Sequence, residues 1–489
     1  MEKIRKNFLL PAILIVAFFA CALFLQTKKA PWVDECYTYY GISHNNWSEF
    51  VDSICSGVNF SPPLYFFLNW IIQLAFHLPI EALRIESAIW VSIGSFLIFL
   101  KCAKTWNFIS AFLALTTVLL QSDLLIEQAL EARHYGMFFA VACMTLLLFP
   151  RNCEFHSPNR KRLYFLCLLA LGLTHYLGIV FCAVAGFVRF WYLRKNGLRP
   201  SMPSVEISCS VILSASYLAL LYNQSSHLNT WVKANSVEAL LSQYLGSALP
   251  LSALVIVICM LFSLPGPKVQ NLRPDVRKKN VSPLLAVSAL WLLVPLFFWI
   301  LSHLSTLNLF HERYFIPKEA AFVILLTFGI NRVGRWFSEL KTMASRTLLI
   351  VPCMVSFGIF VLNAKRIYFS LDPSINYHHW LLSKKEKDKI SVHCIYEGDH
   401  LFFPNFYQKE NGANYLLHDH PQLSSVYKRF SSRINSIELS KVPSLKEFHF
   451  FSTNEKLLKT FSNSHSLTKT ETLNKQSPAK IWIYSKITP

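Results

Sequence analysis

The chain has 489 residues, of which 53% are hydrophobic and only 15% charged, and its formal charge is +19. Soluble domains keep about a quarter of their residues charged, so this composition argues against a soluble protein and for a surface turned to lipid. The basic residues lie in short loops between apolar runs, with no basic-aromatic recognition module, which sets nucleic acid aside and favours an anionic membrane surface or lipid as partner.

In chain order, the first element is a basic start followed by an apolar run at about 7–26, with no small-residue cleavage site after it; it reads as a retained signal anchor. A polar loop follows and carries Asp34, Glu35, Cys36 and Cys55; a disulfide between the two cysteines is open if the loop is extracytoplasmic. Residues 62–78, PPLYFFLNWIIQLAFHL, are apolar, but their double proline, Trp70, Gln73 and His77 favour a helix lying in the membrane interface over a span. Further spans are expected at about 82–100, 107–122, 134–150, 162–174, 175–193, 205–222, 249–265, 283–303, 315–331 and 347–363. Two of these are short and are expected to meet as broken or tilted helices near Thr174-His175-Tyr176.

Basic clusters around Arg160-Lys161-Arg162, Arg194-Lys195, Arg277-Lys278-Lys279 and Arg332 to Arg346 mark cytoplasmic loops. With the N-terminus also cytoplasmic, eleven spans leave the C-terminus outside. Residues 1–363 then form the membrane domain, with 27–81 as its first outer loop, and 364–489 a small extracytoplasmic α/β domain. Short alternating runs at Ile390–Tyr396 and Ile481–Tyr484 read as strands, and Gln422–Phe430 as a helical stretch.

This topology gathers Asp34-Glu35, Asn59–Tyr65, Arg84, Glu131–Tyr135 and His311–Pro317 on the outer face. Arginines taken singly at helix ends are usually interfacial anchors, and an acidic dipeptide is usually a solvated pair. Their repetition on one face is harder to dismiss, because positive-inside bias depletes arginine there. An arginine grips a phosphate through two parallel hydrogen bonds, and a nearby carboxylate suits removal of a proton from a hydroxyl or amine. A transporter or flippase of an anionic lipid is the alternative, but it should carry more ionisable residues deep in its spans, where Glu86 is the clearest, and internal repeats.

At these residues the chain resembles the GT-C fold glycosyltransferases that use lipid-phosphate sugars, and most of all the bacterial relatives of protein O-mannosyltransferases and the lipid A aminoarabinose transferase family (glycosyltransferase family 39-like). The matching pieces are Asp34-Glu35, Ser61-Pro62-Pro63-Leu64-Tyr65, Ala82-Leu83-Arg84, Glu131–Tyr135, Leu173–Tyr176 and Glu312–Pro317. Ser61 departs from the His or Lys that many relatives place before the double proline, which removes a positive charge. The resemblance implies an inverting transfer, on the outer face of a bacterial inner membrane, from a polyprenyl-phosphate-linked sugar to a lipid, glycan or protein acceptor. It implies Asp34 as base or acceptor-orienting acid, Glu35 as its neighbour and Glu131 as a second acid. Arg313 is expected to hold the donor phosphate, with Arg84 and Arg133 able to join it. Tyr65, Tyr135, His175, Tyr176, His311 and Tyr314 are expected to line the cavity. Asp34 and Glu131 could share Mg or Mn through oxygen ligands, and no His/Cys cluster suggests zinc.

Overall fold

The computed structural model describes residues 2–27, 33–56, 61–150, 157–197, 277–304 and 310–339, a few isolated positions between 209 and 361, and six strands within 392–486. The helices are α1 (Glu2–Gln26), α2 (Val33–Ile42), α3 (Trp47–Cys55), α4 (Leu64–Phe76), α5 (Ile80–Thr105), α6 (Phe108–Gln121), α7 (Asp123–Ala129), α8 (Tyr135–Leu148), α9 (Pro158–Thr174), α10 (Gly178–Lys195), α11 (Arg277–Leu304) and α12 (Pro317–Glu339). The expected spans from 7–26 through 175–193, with 283–303 and 315–331, fall on α1, α5, α6, α8, α9, α10, α11 and α12. Those at 205–222, 249–265 and 347–363, isolated positions apart, lie outside the described residues, as does Gln422–Phe430.

Among the described residues three helical stretches are long and apolar enough to cross a membrane, Leu9–Gln26, Ile80–Thr105 and Pro283–Leu304. Leu64–Phe76 and Tyr135–Leu148 are apolar but shorter, and Phe108–Gln121 with Asp123–Ala129 form a bent pair. The 107–122 run continues into α7, which turns by 70° after α6. Side-chain capping supports the turn, since Ser122 ends α6 and starts α7 by accepting from the Leu125 N–H; Asn107 caps the far end of α6 by accepting from the Ser110 N–H. The bend delivers residues 130–134 to the start of α8.

Helices α5 and α8 form the centre. Almost every side chain of α8 is buried, as expected for a helix apolar on all sides. Close approach depends on glycine here: a Cβ at Gly136 would lie 2.7 Å from the Ser87 carbonyl oxygen, and one at Gly94 would lie 2.9 Å from the Ala140 Cα. At the other end of α8 the Lys101 ammonium, itself buried, donates to the Leu147 and Phe149 carbonyls at 3.2 and 3.1 Å. A cation there satisfies carbonyls the helix leaves open and complements its dipole.

The expected break near residue 175 is present, with α9 ending at Thr174 and α10 starting at Gly178. Tyr217 Oη donates to the Gly172 carbonyl in the last turn of α9, just before it. Helix α10 then docks on α11 through Trp291, whose buried indole N–H donates to the Phe181 carbonyl at 3.1 Å.

The C-terminal strands form one six-stranded sheet of order β3-β2-β1-β4-β6-β5, from β1 (Val392–Tyr396), β2 (Ala413–His418), β3 (Ser436–Glu438), β4 (Glu447–Ser452), β5 (His465–Thr472) and β6 (Lys480–Lys486). β3, β2, β1 and β4 run parallel, while β6 is antiparallel to both β4 and β5. β1 and β6 coincide with the two alternating runs read from the sequence.

Candidate active site

Asp34 and Glu35 occupy the first turn of α2. Successive helical residues point about 100° apart, so the two carboxylates cannot share one direction. Glu35 turns inward. Its Oε1 accepts from Arg84 Nε and its Oε2 from Arg84 Nη2, both at 2.7 Å, and Oε1 also accepts from the Ala132 backbone N–H at 2.7 Å. The Glu35 side chain is 0% exposed and that of Arg84 2%. Arg84 Nη1 donates to the Gln26 carbonyl at 3.2 Å, while Gln26 Nε2 donates to the Arg84 and Ala129 carbonyls. This closed pair joins α1, α2 and α5 to the turn before α8.

Asp34 turns the other way and keeps 21% of its side chain exposed. Its Oδ2 accepts from Arg313 Nη1 at 3.1 Å and lies 3.6 Å from Arg133 Nη2. Arg133 is aimed by two further bonds, Nη1 donating to the Asp34 carbonyl and to Thr38 Oγ1, each at 3.0 Å. Thr38, one turn along α2 on the same face, donates in turn to the Asp34 carbonyl at 2.9 Å. Ser87 Oγ donates to the Arg133 carbonyl at 3.2 Å, which fixes the base of the arginine to α5.

Arg313 comes from a 3-10 turn, Glu312–Phe315, that leads into α12. His311 caps that turn through its Nδ1, which accepts from the Arg313 N–H, and its Nε2 stands 3.5 Å from Arg313 Nη2. Burial, and next the Arg313 charge, push the His311 pKa down to about 4, so the ring is neutral near pH 7. For Arg313 burial acts to lower the pKa, but Tyr135, Glu131 and Asp34 together raise it, so the guanidinium stays charged. Glu131 thus acts electrostatically on both Arg313 and His311.

Aromatic rings floor the site. The guanidinium carbons of Arg133 and Arg313 each lie 6.0 Å from the Tyr135 ring centroid. Tyr314 packs on His175 at 4.9 Å and on His311 at 5.2 Å. His175 stacks on His134 at 5.4 Å, and the Tyr65 ring lies 6.2 Å from His134.

The fold therefore brings together Asp34, Arg133, Arg313, Tyr135, His311, Tyr314 and His175, with Tyr65 behind His134. Glu35 and Arg84 are engaged with each other. Tyr176 has a different neighbour, Tyr217, at 4.8 Å edge to face. Three contributors carried no assigned role in the sequence reading. Thr38 was within reach of helical spacing, four residues after Asp34. His134 stood between two residues already singled out. Gln26, a polar residue ending an apolar run, became meaningful only through its partners.

Among the described residues no group of three or more His, Cys, Asp or Glu side chains could hold a metal ion. The surroundings of Asp34 also fit the expected cation poorly, because two guanidinium groups already bring positive charge to its carboxylate.

These features define a polytopic membrane protein of the GT-C fold. The architecture is that of ArnT from Cupriavidus metallidurans. Its structure bound to undecaprenyl phosphate aligns with a TM-score of 0.61 at 12% identity, covering 96% of this chain and 97% of that one. The apo structure aligns with a TM-score of 0.63 at 11% identity and the same coverage. A weaker likeness to the apo oligosaccharyltransferase of Archaeoglobus fulgidus has a TM-score of 0.39 at 9% identity and covers 80% of this chain and 63% of that one. No family model matches the sequence, and no curated protein does.

Proposed function

We propose that the chain is a membrane glycosyltransferase that moves a sugar from a polyprenyl-phosphate-linked donor to an acceptor hydroxyl or amine. The observation that carries this reading is the solvent-reaching Asp34 carboxylate between two guanidinium groups, those of buried Arg133 and part-buried Arg313. The likeness to ArnT, one of whose structures holds undecaprenyl phosphate, supports a polyprenyl phosphate as the donor's carrier.

In this reading the donor phosphate takes a guanidinium edge that Asp34 holds in the unliganded protein. Two planar forks match phosphate oxygens, and a site depleted of water strengthens that attraction. Asp34, relieved of one partner, accepts the proton of the incoming hydroxyl or amine. The nucleophile forms its bond to the anomeric carbon as the carbon–oxygen bond to phosphate breaks. The bonding electrons leave with polyprenyl phosphate, whose charge Arg313 and Arg133 stabilise. Direct displacement inverts the anomeric configuration. Neutral His311 adds no charge but keeps the Arg313 turn in place.

Glu35 and Arg84 take a different role from the one the resemblance implies. A carboxylate that is fully buried and accepts three hydrogen bonds is poorly placed to exchange protons with a substrate. Both residues act as positioning residues for Asp34 and Arg133. Glu131 is assigned here as the second acid, on the acceptor side. The site faces the outside of a bacterial inner membrane, with the N-terminus in the cytoplasm. The cytoplasmic end of α8 then meets Lys101 of α5 and Arg160 of α9, in line with positive-inside bias.

The test is to incubate the purified protein in sealed proteoliposomes with polyprenyl-phospho-sugars and an acceptor extract. Release of polyprenyl phosphate that depends on Asp34 supports the transferase. Movement of intact donor across the bilayer without release would support a flippase instead.

A further inference from the structure

The break between α9 and α10 fixes one side chain with unusual completeness. A Cβ at Gly178 would run into the Leu171 carbonyl, so the quick return to a helix after Thr174 depends on glycine there. His175 lies in the break with extended backbone, φ −151° and ψ 140°. Its N–H donates to the Gly172 carbonyl at 3.1 Å, and its carbonyl accepts from the Gly178 N–H at 2.8 Å. The ring is tied down too, because Nδ1 accepts from the Leu177 N–H at 3.1 Å.

That last bond sets the chemistry of the ring. A nitrogen that accepts a backbone N–H carries no proton, so the imidazole is neutral and its hydrogen sits on Nε2. Among the described residues nothing accepts from His175 Nε2, and unlike both ring nitrogens of His134 it is not enclosed. Aromatic rings wall it in elsewhere, Phe138 at 5.0 Å, Tyr314 at 4.9 Å and Tyr135 at 5.8 Å. His175, 7% exposed, therefore offers one uncharged donor of fixed direction from an apolar wall.

Its distance from the charged groups limits what it can hold. His311 Nε2 stands 3.5 Å from Arg313 Nη2, and the part-exposed Tyr314 ring lies 5.2 Å from His311 and 4.9 Å from His175. A phosphate gripped at Arg313 would thus have Tyr314 beside it and His175 one ring further on. A neutral donor there adds little for an anion already facing two guanidinium groups, but it suits a hydroxyl. Ligand pockets take their specificity from such single polar groups set among aromatic side chains. We propose that His175 Nε2 donates to a hydroxyl of the transferred sugar, which lies along Tyr314, and so determines which sugar is accepted. The proposal deepens the transferase reading and rests on it.

The test uses proteoliposomes and the acceptor extract, with polyprenyl-phospho-mannose, -glucose, -galactose and -aminoarabinose as donors. If none of them yields polyprenyl phosphate, the transferase reading falls and this inference with it. The donor used best is then compared with its monodeoxy analogues. For the unaltered protein at least one analogue should lose about 10- to 100-fold in kcat/KM, the cost of leaving a buried donor unpaired. Equal use of every analogue would overturn the proposal, and this arm needs no substitution. His175→Asn keeps an acceptor for the Leu177 N–H and lacks the Nε2 donor. It should use the full donor about 10- to 100-fold less well and no longer distinguish it from that one analogue, with an unchanged unfolding midpoint. An equal loss on the full donor and on every analogue would mark His175 as structural and overturn the proposal. Release that depends on Asp34 but is unaltered in His175→Asn would leave the transferase standing and remove this inference alone.

Discussion

Arg313 Nη1 donates to Asp34 Oδ2 at 3.1 Å, across 279 positions of chain. Asp34 lies in the first turn of α2, and Arg313 in the 3-10 turn that leads into α12. The contact therefore measures how the first outer loop is seated on the entrance to α12. In the proposed reaction it is also the contact that a donor phosphate displaces.

Asp34→Asn keeps the shape of the side chain and removes its capacity to accept a proton. Turnover should fall by about 10² to 10⁴, the usual worth of a general base, with little change in donor KM. Arg313→Ala should chiefly raise donor KM. Steady-state release of polyprenyl phosphate in nanodiscs checks both, and full activity of a well-folded Asp34→Asn protein would remove Asp34 from the mechanism.

The Glu35–Arg84 pair makes a prediction about stability. Removing one partner strands a buried charge, which costs about 3–5 kcal/mol. Arg84→Met and Glu35→Gln should each lower the midpoint of denaturant or thermal unfolding sharply. The double variant should lose less than the two single losses added together. Strict additivity would mean that the pair does not act as a unit.

His311 should make stability depend on acid pH. Its pKa in the folded protein is about 4, below the ordinary 6.5, so the unfolded chain binds the proton more readily between those values. The stability contribution is present above about pH 6.5 and is lost as pH falls toward 4, with a slope of at most about 1.4 kcal/mol per pH unit for one proton. Unfolding midpoints measured across this range should fall less steeply for His311→Gln than for the parent.

Gly136 tests the packing beneath the site. A methyl group there meets the Ser87 carbonyl at 2.7 Å, and that contact is to backbone, which cannot rotate away. Gly136→Ala should cost about 1–3 kcal/mol, as overpacking does. It should also lower activity, because Ser87 supports the Arg133 carbonyl. An alanine variant with unchanged midpoint and rate would show that α5 and α8 can separate without moving Arg133.

Much of this protein was legible in its residues, for identifiable reasons. Apolar runs of bilayer length announce spans whatever the helices later touch, so α1, α5 and α11 were readable directly. The basic loops supplied an expected orientation, and Pro62-Pro63 with Gln73 and His77 separated α4 from the spans. The 70° turn into α7 was not readable, because residues 107–122 carry no charge, glycine or proline to mark a break, and the capping role of Ser122 depends on the chain turning there. The strands at 392–396 and 480–486 showed by alternation, whereas the order of the sheet did not.

The same division runs through the site. By itself the sequence determined that this is a membrane protein and that Asp34, Glu35 and Glu131 share their surroundings with Arg84, Arg133 and Arg313. It could not say which acid meets which arginine. That was decided by the tertiary structure, because neighbouring residues on a helix point about 100° apart and only packing sets the phase of α2 against α5 and α12. Glu35 was thereby turned into a closed pair with Arg84, and Asp34 into an open contact with Arg133 and Arg313. A carboxylate buried among satisfied hydrogen bonds holds a fold together, while one at the edge of water between two arginines has room for a substrate.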